Sequence, residues 1–256
     1  VLVCDDGSTE GNTKLNKDCI HRAEKLRDVT GLEMIVSANR AGIAASWNKL
    51  VRHQPADVIV LINDDIEVVP HWLDVLVYSV MKNQQVGMVS LNQYVSLTKG
   101  QHREAFAHML PHEAQPIVDY HESNLMTGQG QLLASHGSIF AFRRDSYDLA
   151  GGFDERYFVY YEECDFGVSL CEKGFIHAIA SYPIVYHQGG ATLSDLNNLD
   201  ANAQLVRSRC LFHAKWKKSV IEMRARYQAQ AKASGVLENL NEWNTALIHL
   251  DDQART

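Results

Sequence analysis

Acidic side chains gather at three places where they could do chemistry. Asp5-Asp6 and Asp64-Asp65 each follow a short apolar run. Glu162-Glu163-Cys164-Asp165 follows an aromatic stretch, Phe153-Asp154-Glu155-Arg156-Tyr157-Phe158-Val159-Tyr160-Tyr161. Paired carboxylates can hold a hard cation or take a proton from a hydroxyl. Either aspartate pair alone reads more readily as a solvated turn or a helix N-cap than as a site. Two such clusters at equivalent strand ends of one sheet would repel unless a cation or donor groups lie between them, so together they point to a metal or nucleotide site. The third cluster opens a helix, where first-turn acids are stabilised by the macrodipole alone. The aromatic run against it argues instead for a pocket floor beside a titratable group. His187, before Gln188-Gly189-Gly190, ends another apolar run. A lone histidine is usually structural, but glycines beside it let a ligand come close.

The elements that must position these residues are legible from periodicity. Val1–Cys4, Leu32–Ser37, Asp57–Ile62, Val86–Leu91 and Gly137–Phe142 read as strands, with Phe175–Ala180 and Ile184–His187 as two short ones. Glu10–Asp28, Ile43–His53, a segment after Pro70 carrying Trp72, Leu76 and Val80, Ser146–Ala150 and Glu162–Lys173 read as helices. The first 91 residues alternate strand and helix, and their strands are almost continuously apolar. That pattern predicts an α/β fold, a mostly parallel sheet with helices on both faces. In such a sheet ligands bind beyond the carboxyl ends of the strands, where both aspartate pairs fall. Residues 92–135 read as an irregular excursion, and a basic helix from about Asp200 to Ala233 closes the chain. The expected domains are 1–199 and a helical extension, 200–256.

Composition narrows the class. The 256 residues carry 24 basic and 31 acidic side chains, a net of −7, which argues against sequence-independent nucleic-acid binding. No apolar run approaches the ~20 residues that span a bilayer. Five cysteines without a CxxC pair favour a reducing compartment over a disulfide framework. The opening Val-Leu-Val-Cys-Asp-Asp shows no signal-peptide pattern and no Met, and reads as a fragment or a processed product.

Asp5-Asp6-Gly7-Ser8-Thr9, Asn39-Arg40-Ala41-Gly42 and Leu61-Ile62-Asn63-Asp64-Asp65, in that order, resemble the donor half of a family 2 glycosyltransferase of the GT-A fold. Gly151-Gly152-Phe153-Asp154-Glu155, Tyr161-Glu162-Glu163-Cys164-Asp165 and His187-Gln188-Gly189-Gly190 resemble its acceptor half. The branch it looks most like is the rhamnosyltransferase-like bacterial one. The resemblance implies that Asp5, Asp6, Asn39, Arg40 and Asp64 meet the nucleoside. It implies that Asp65, with His187, ligates Mn²⁺ or Mg²⁺ on the sugar diphosphate, and that Glu163 is the general base with Glu162 beside it. Tyr161 and Asp165 would then contact the acceptor. Three departures stand out. Asn63 replaces the first acid of a DxD motif, and Glu163 stands where Asp is commoner. The family's first strand, which lies inside the sheet next to Val1–Cys4, is absent.

These readings converge on an inverting, metal-dependent transfer of a sugar from a nucleotide-sugar donor to a hydroxyl of a glycan or lipid-linked glycan. No nucleic acid is involved. The expected location is the cytoplasm or the cytoplasmic face of a membrane; the C-terminal helix reads first as a solvated face with its apolar side on the domain, and second as a membrane or oligomer contact. The rivals are a non-catalytic nucleotide-sugar binding module and a nucleotidyltransferase.

Overall fold

The computed structural model describes residues 1–8, 10–23, 31–68, 70–95, 137–187 and 201–234. The described elements are β1 (Leu2–Asp5), α1 (Glu10–Ala23), β2 (Glu33–Val36), α2 (Ile43–His53), β3 (Val58–Ile62), β4 (Ile66–Glu67), α3 (Trp72–Lys82), β5 (Val86–Val95), β6 (Ile139–Arg143), α4 (Arg144–Ala150), α5 (Glu162–Glu172), β7 (Ile176–His187) and α6 (Ala201–Ser234). The chain forms two compact units, Val1–Lys215 and Trp216–Thr256. Of the second, only the helical residues up to Ser234 are described, and no side chain from Met223 on is. The side chains of the C-terminal helix beyond Glu222 therefore lie outside what is described, as do Gln188-Gly189-Gly190 and most of the 92–135 stretch. None of the described helices is long and apolar enough to cross a membrane.

β1 and β2 pair in parallel as a two-stranded sheet. A five-stranded sheet has the order β3-β6-β5-β7-β4. Here β3, β5 and β7 share one direction, while β6 runs antiparallel between β3 and β5, and β4 runs antiparallel to β7. The parallel character read from the first 91 residues thus belongs to β1, β2, β3 and β5. β6, which follows the long 96–136 stretch, enters reversed. No ladder joins β1 to β3 among the described residues. The two short strands expected at 175–187 are one, β7. The break around Pro183 survives as a register irregularity against β5, between the Leu91↔Ala180 and Gln93↔Val185 pairs.

β6 shows why the core has two halves. Its sequence Ile-Phe-Ala-Phe-Arg alternates faces with the strand period of two. Ile139 and Ala141 join Val75, Leu76, Val80, Val86, Val89, Leu91 and Val185 in an aliphatic cluster under α3. Phe140 and Phe142 point the other way, into a set of rings with Trp47 of α2, Tyr147, Phe153 and Phe166 of α5. Each fully buried ring contributes about 1.5–3 kcal/mol.

The same alternation places two consecutive arginines. Arg143 sends its guanidinium to the carbonyls of Val80, Gln84 and Val86 at the end of α3. Arg144, on the opposite face, caps the end of α2 through the carbonyls of Val51 and Gln54. Both helices end without a glycine cap, so the arginines take up orphan carbonyls and meet the negative ends of the dipoles.

Candidate active site

The Asp5-Asp6 turn is built by its own carboxylates. Asp5, at the end of β1, is buried and accepts from the Ser8 backbone N–H (2.9 Å) and from Asn16 Nδ2 (3.3 Å). Burial alone would raise its carboxyl; the hydrogen bonds from Ser8, Thr13 and Asn16 outweigh it and hold the group below the usual range. Asp6 accepts from the backbone N–H groups of Ala41 (2.9 Å) and Gly42 (2.8 Å), at the N-terminus of α2. Gly7, with φ +72°, packs against this loop, and Arg40 Nε donates to its carbonyl (3.4 Å). Asp5, Asp6, Asn39 and Arg40 are thus brought together, with Asn39 and Arg40 exposed at the rim.

Gly42 explains how this rim meets the second half. Its φ is +92°, and a Cβ there would lie 2.5 Å from the Phe158 carbonyl oxygen. Only glycine fits both the backbone conformation and the approach. The next residue, Ile43, donates its N–H to that same carbonyl (2.8 Å).

Asp64 and Asp65 occupy the turn between β3 and β4. The β4–β7 register sets Ile66 opposite His187. Asp65 Oδ1 consequently lies 3.1 Å from His187 Nε2, with 14% and 17% of the two side chains exposed. His187 Nδ1 is buried and has no hydrogen-bond partner among the described residues. Asp64 is exposed. One step back, the Asn63 N–H donates to the Ser138 carbonyl (2.8 Å), tying the turn to the start of β6. Gly137 precedes Ser138, and the Glu163 carboxylate lies against it: a Cβ on Gly137 would be 2.7 Å from Glu163 Cδ. The start of β6 therefore meets both the turn that carries Asp65, through Asn63, and the Glu163 carboxylate, through Gly137.

Glu162, Glu163 and Asp165 open α5. Two tyrosines set its entry: Tyr160 and Tyr161 both lie in the left-handed region, with φ 69° and 70°. Such residues cost about 1–3 kcal/mol each and persist where their surroundings over-determine them. Here the first turns of α6 do so. Ser208 Oγ donates to the Val159 carbonyl (2.7 Å), and the Phe212 ring lies 5.2 Å from that of Tyr161. Burial, then the neighbouring Glu163 charge, raises the Glu162 carboxyl well above the usual range, and its Oε2 has no hydrogen-bond partner among the described residues. Burial also raises Glu163, opposed by backbone N–H groups and by the Cys164 thiol, which donates to Oε1 at 3.7 Å.

Asp165 is placed elsewhere than a reading of it as an acceptor contact requires. It is 2% exposed, and Lys215 of α6 holds it at 2.9 Å. The same ammonium lies 2.9 Å from Asp154, which also pairs with Arg156. Helical spacing puts Asp165 on the inward face with Glu162, so Asp165 braces the back of the site. Sequence reasoning passed over Gly137, Ser208, Phe212 and Lys215. The last three recur at i, i+4 and i+7 along a helix, a signal of one docking stripe; Gly137 leaves no mark beyond being a glycine before a strand.

The mixed sheet with helices on both faces and acids at its strand ends has the GT-A fold, and the chain is a glycosyltransferase. The fold is shared with the mannosyltransferase PcManGT from Pyrobaculum calidifontis in complex with GDP-Man and Mn²⁺ (TM-score 0.53, 17% identity, 99% of this chain and 76% of that one). It is shared also with GalNAc-T7 with UDP, GalNAc and Mn²⁺ (TM-score 0.53, 14% identity, 88% and 44%). The chain belongs to glycosyltransferase like family 2, whose family model matches residues 2–209. Among curated proteins, it is 23% identical over 211 residues to an N-acetylglucosaminyl-diphospho-decaprenol L-rhamnosyltransferase of Mycobacterium tuberculosis, covering 76% of this chain and 68% of that protein. It is 25% identical over 156 residues to the O-antigen biosynthesis protein RfbC of Myxococcus xanthus, covering 58% and 12%.

Proposed function

We propose that this glycosyltransferase moves a sugar from a nucleotide-sugar donor to a hydroxyl of a glycan or lipid-linked glycan, inverting the anomeric carbon. The observation that carries the reading is the start of β6, where Ser138 ties down the turn that leads to the Asp65–His187 pair and Gly137 lies against Glu163. Asp65 and His187 fit a divalent cation. Asp65 Oδ1 and His187 Nε2 lie 3.1 Å apart, so a carboxylate and an imidazole would be in reach of one cation, and with no third such ligand among the described residues, phosphate and water oxygens would complete its shell. Mn²⁺ or Mg²⁺ held there would neutralise charge on the diphosphate leaving group.

The two glutamates divide the proton chemistry. Glu162 is the more deeply buried, and its Oε2 lacks a hydrogen-bond partner among the described residues, so it carries the proton. Burial raises Glu163 too, but backbone N–H groups and the Cys164 thiol oppose it, so of the two it gives up its proton first. As the acceptor oxygen attacks the anomeric carbon and the bond to the diphosphate breaks, Glu163 takes the hydroxyl proton. Asp5 and Asp6 act indirectly, by shaping the loop that offers Asn39, Arg40 and backbone groups to the nucleoside. Asp64 meets the donor from the other side, and Tyr161 the acceptor. Domain 1–199 with the start of α6 carries the activity, at the cytoplasmic face of a membrane when the acceptor is lipid-linked.

The test is turnover of a panel of nucleotide sugars, GDP-mannose among them, by the purified chain with Mn²⁺. Release of nucleoside diphosphate with an inverted glycosidic product supports the proposal. Donor binding without turnover would favour the non-catalytic module.

A further inference from the structure

We propose that Gly137 is a positioning residue of this transferase: the side chain it lacks is the seat of the Glu163 carboxylate. The inference rests on Glu163 being the general base. A Cβ at 137 would lie 2.7 Å from Glu163 Cδ, 2.8 Å from Cγ and 3.1 Å from Oε1, closer than real Cβ atoms approach for the first two. The glycine is not there for conformational freedom, because its φ is outside the left-handed region where Gly7, Gly42 and Gly152 sit. Its purpose is space. All three nearest atoms belong to one side chain, that of Glu163.

Gly87 is a useful contrast. There a Cβ would meet Phe175 Cβ at 2.7 Å and Leu170 Cδ1 at 3.3 Å, so a side chain would press on the packed sheet and α5. At 137 what obstructs is the movable end of a glutamate. The fold can absorb a methyl group by letting the carboxylate swing away, while the chemistry cannot. The carboxylate is thus located from two sides, by bare backbone at 137 and by the Cys164 thiol at 3.7 Å from Oε1. The same backbone leads through Ser138 to Asn63 and the aspartate turn, so the seat fixes Glu163 relative to Asp65. A misplacement near 1 Å costs on the order of 10²-fold in rate.

The test compares Gly137→Ala, Glu163→Gln and the double variant, with Gly11→Ala, where a Cβ meets nothing within 4 Å among the described residues, as the silent control. Turnover is read as nucleoside diphosphate release from the most active donor of the panel above. We expect Gly137→Ala to lower kcat by about 10–100-fold, to leave donor KM within about twofold and to melt like Gly11→Ala. In the Glu163→Gln background the same change should cost nothing further, because the group it displaces is gone. A second readout needs no substrate. Carboxyl NMR of Glu163, which faces Glu162, Cys164 and Tyr161, should show its titration moving down in Gly137→Ala as the group leaves its buried seat. Unchanged kcat, an additive loss in the double variant or a chain that fails to fold would overturn the proposal. Full turnover in Glu163→Gln would instead remove the base assignment on which it stands, a result distinct from an inert Gly137→Ala beside an inactive Glu163→Gln.

Discussion

His187 Nε2 lies 3.1 Å from Asp65 Oδ1 although the two residues come from opposite ends of the sheet-forming sequence. Two residue pairs of β4 and β7 ladder bring them together, Ile66↔His187 and Glu67↔Tyr186. An acid of the chain's first half and a histidine of its second thereby become neighbours.

Metal dependence should follow this pair. Asp65→Asn keeps the shape and removes a charged ligand, so stimulation by Mn²⁺ or Mg²⁺ should disappear and turnover fall by several orders of magnitude. His187→Ala should weaken metal affinity by about 10–100-fold, in the range of supporting ligands. Titrating donor binding against Mn²⁺ in each variant measures both. Metal-stimulated activity retained in Asp65→Asn would place the cation elsewhere.

The buried Glu162 gives a pH signature. Burial and the Glu163 charge raise its carboxyl, so the fold favours the protonated form. The stability this contributes is complete below the ordinary glutamate value and is lost as pH rises through the raised one. Glu162→Gln cannot ionise. Its melting temperature relative to the parent should therefore climb as pH rises above the ordinary glutamate value. A difference that stays flat or falls would show Glu162 ionised in the fold without penalty.

Much of this fold can be read from residue pattern. α2 runs Ile43–His53 as its periodicity predicts, and β3 and α5 match within a residue or two. Those segments carry strong local signals: an apolar stripe, a continuous apolar run, an acidic first turn. What could not be read are facts of long-range packing. Nothing in Asp165 itself distinguishes a site carboxylate from one buried against Lys215. The aspartates 5 and 6 look like ligands until Ser8, Asn16, Ala41 and Gly42 are seen to claim their oxygens. The reversed β6 follows a segment without periodic pattern, so its direction had no local mark.

The Lys215 brace makes a stability prediction. Lys215→Met leaves the Asp165 carboxylate buried without its cation, and should cost roughly 3 kcal/mol, the low end for breaking a buried pair. Pairing it with Asp165→Leu should restore much of the loss. Denaturant melts of the two single variants and the double one read this directly. An additive double variant would mean the pair does not act as a unit.

The central claim is that Glu163 is the base and Glu162 its protonated neighbour. Kinetics of Glu163→Gln and Glu162→Gln, with donor affinity measured alongside, test it most directly. Glu163→Gln should lose roughly 10²–10⁴-fold in turnover with donor and Mn²⁺ binding intact, the range a general base contributes, and Glu162→Gln should lose less. A larger loss at Glu162 with donor binding intact, or small losses at both, would contradict the account.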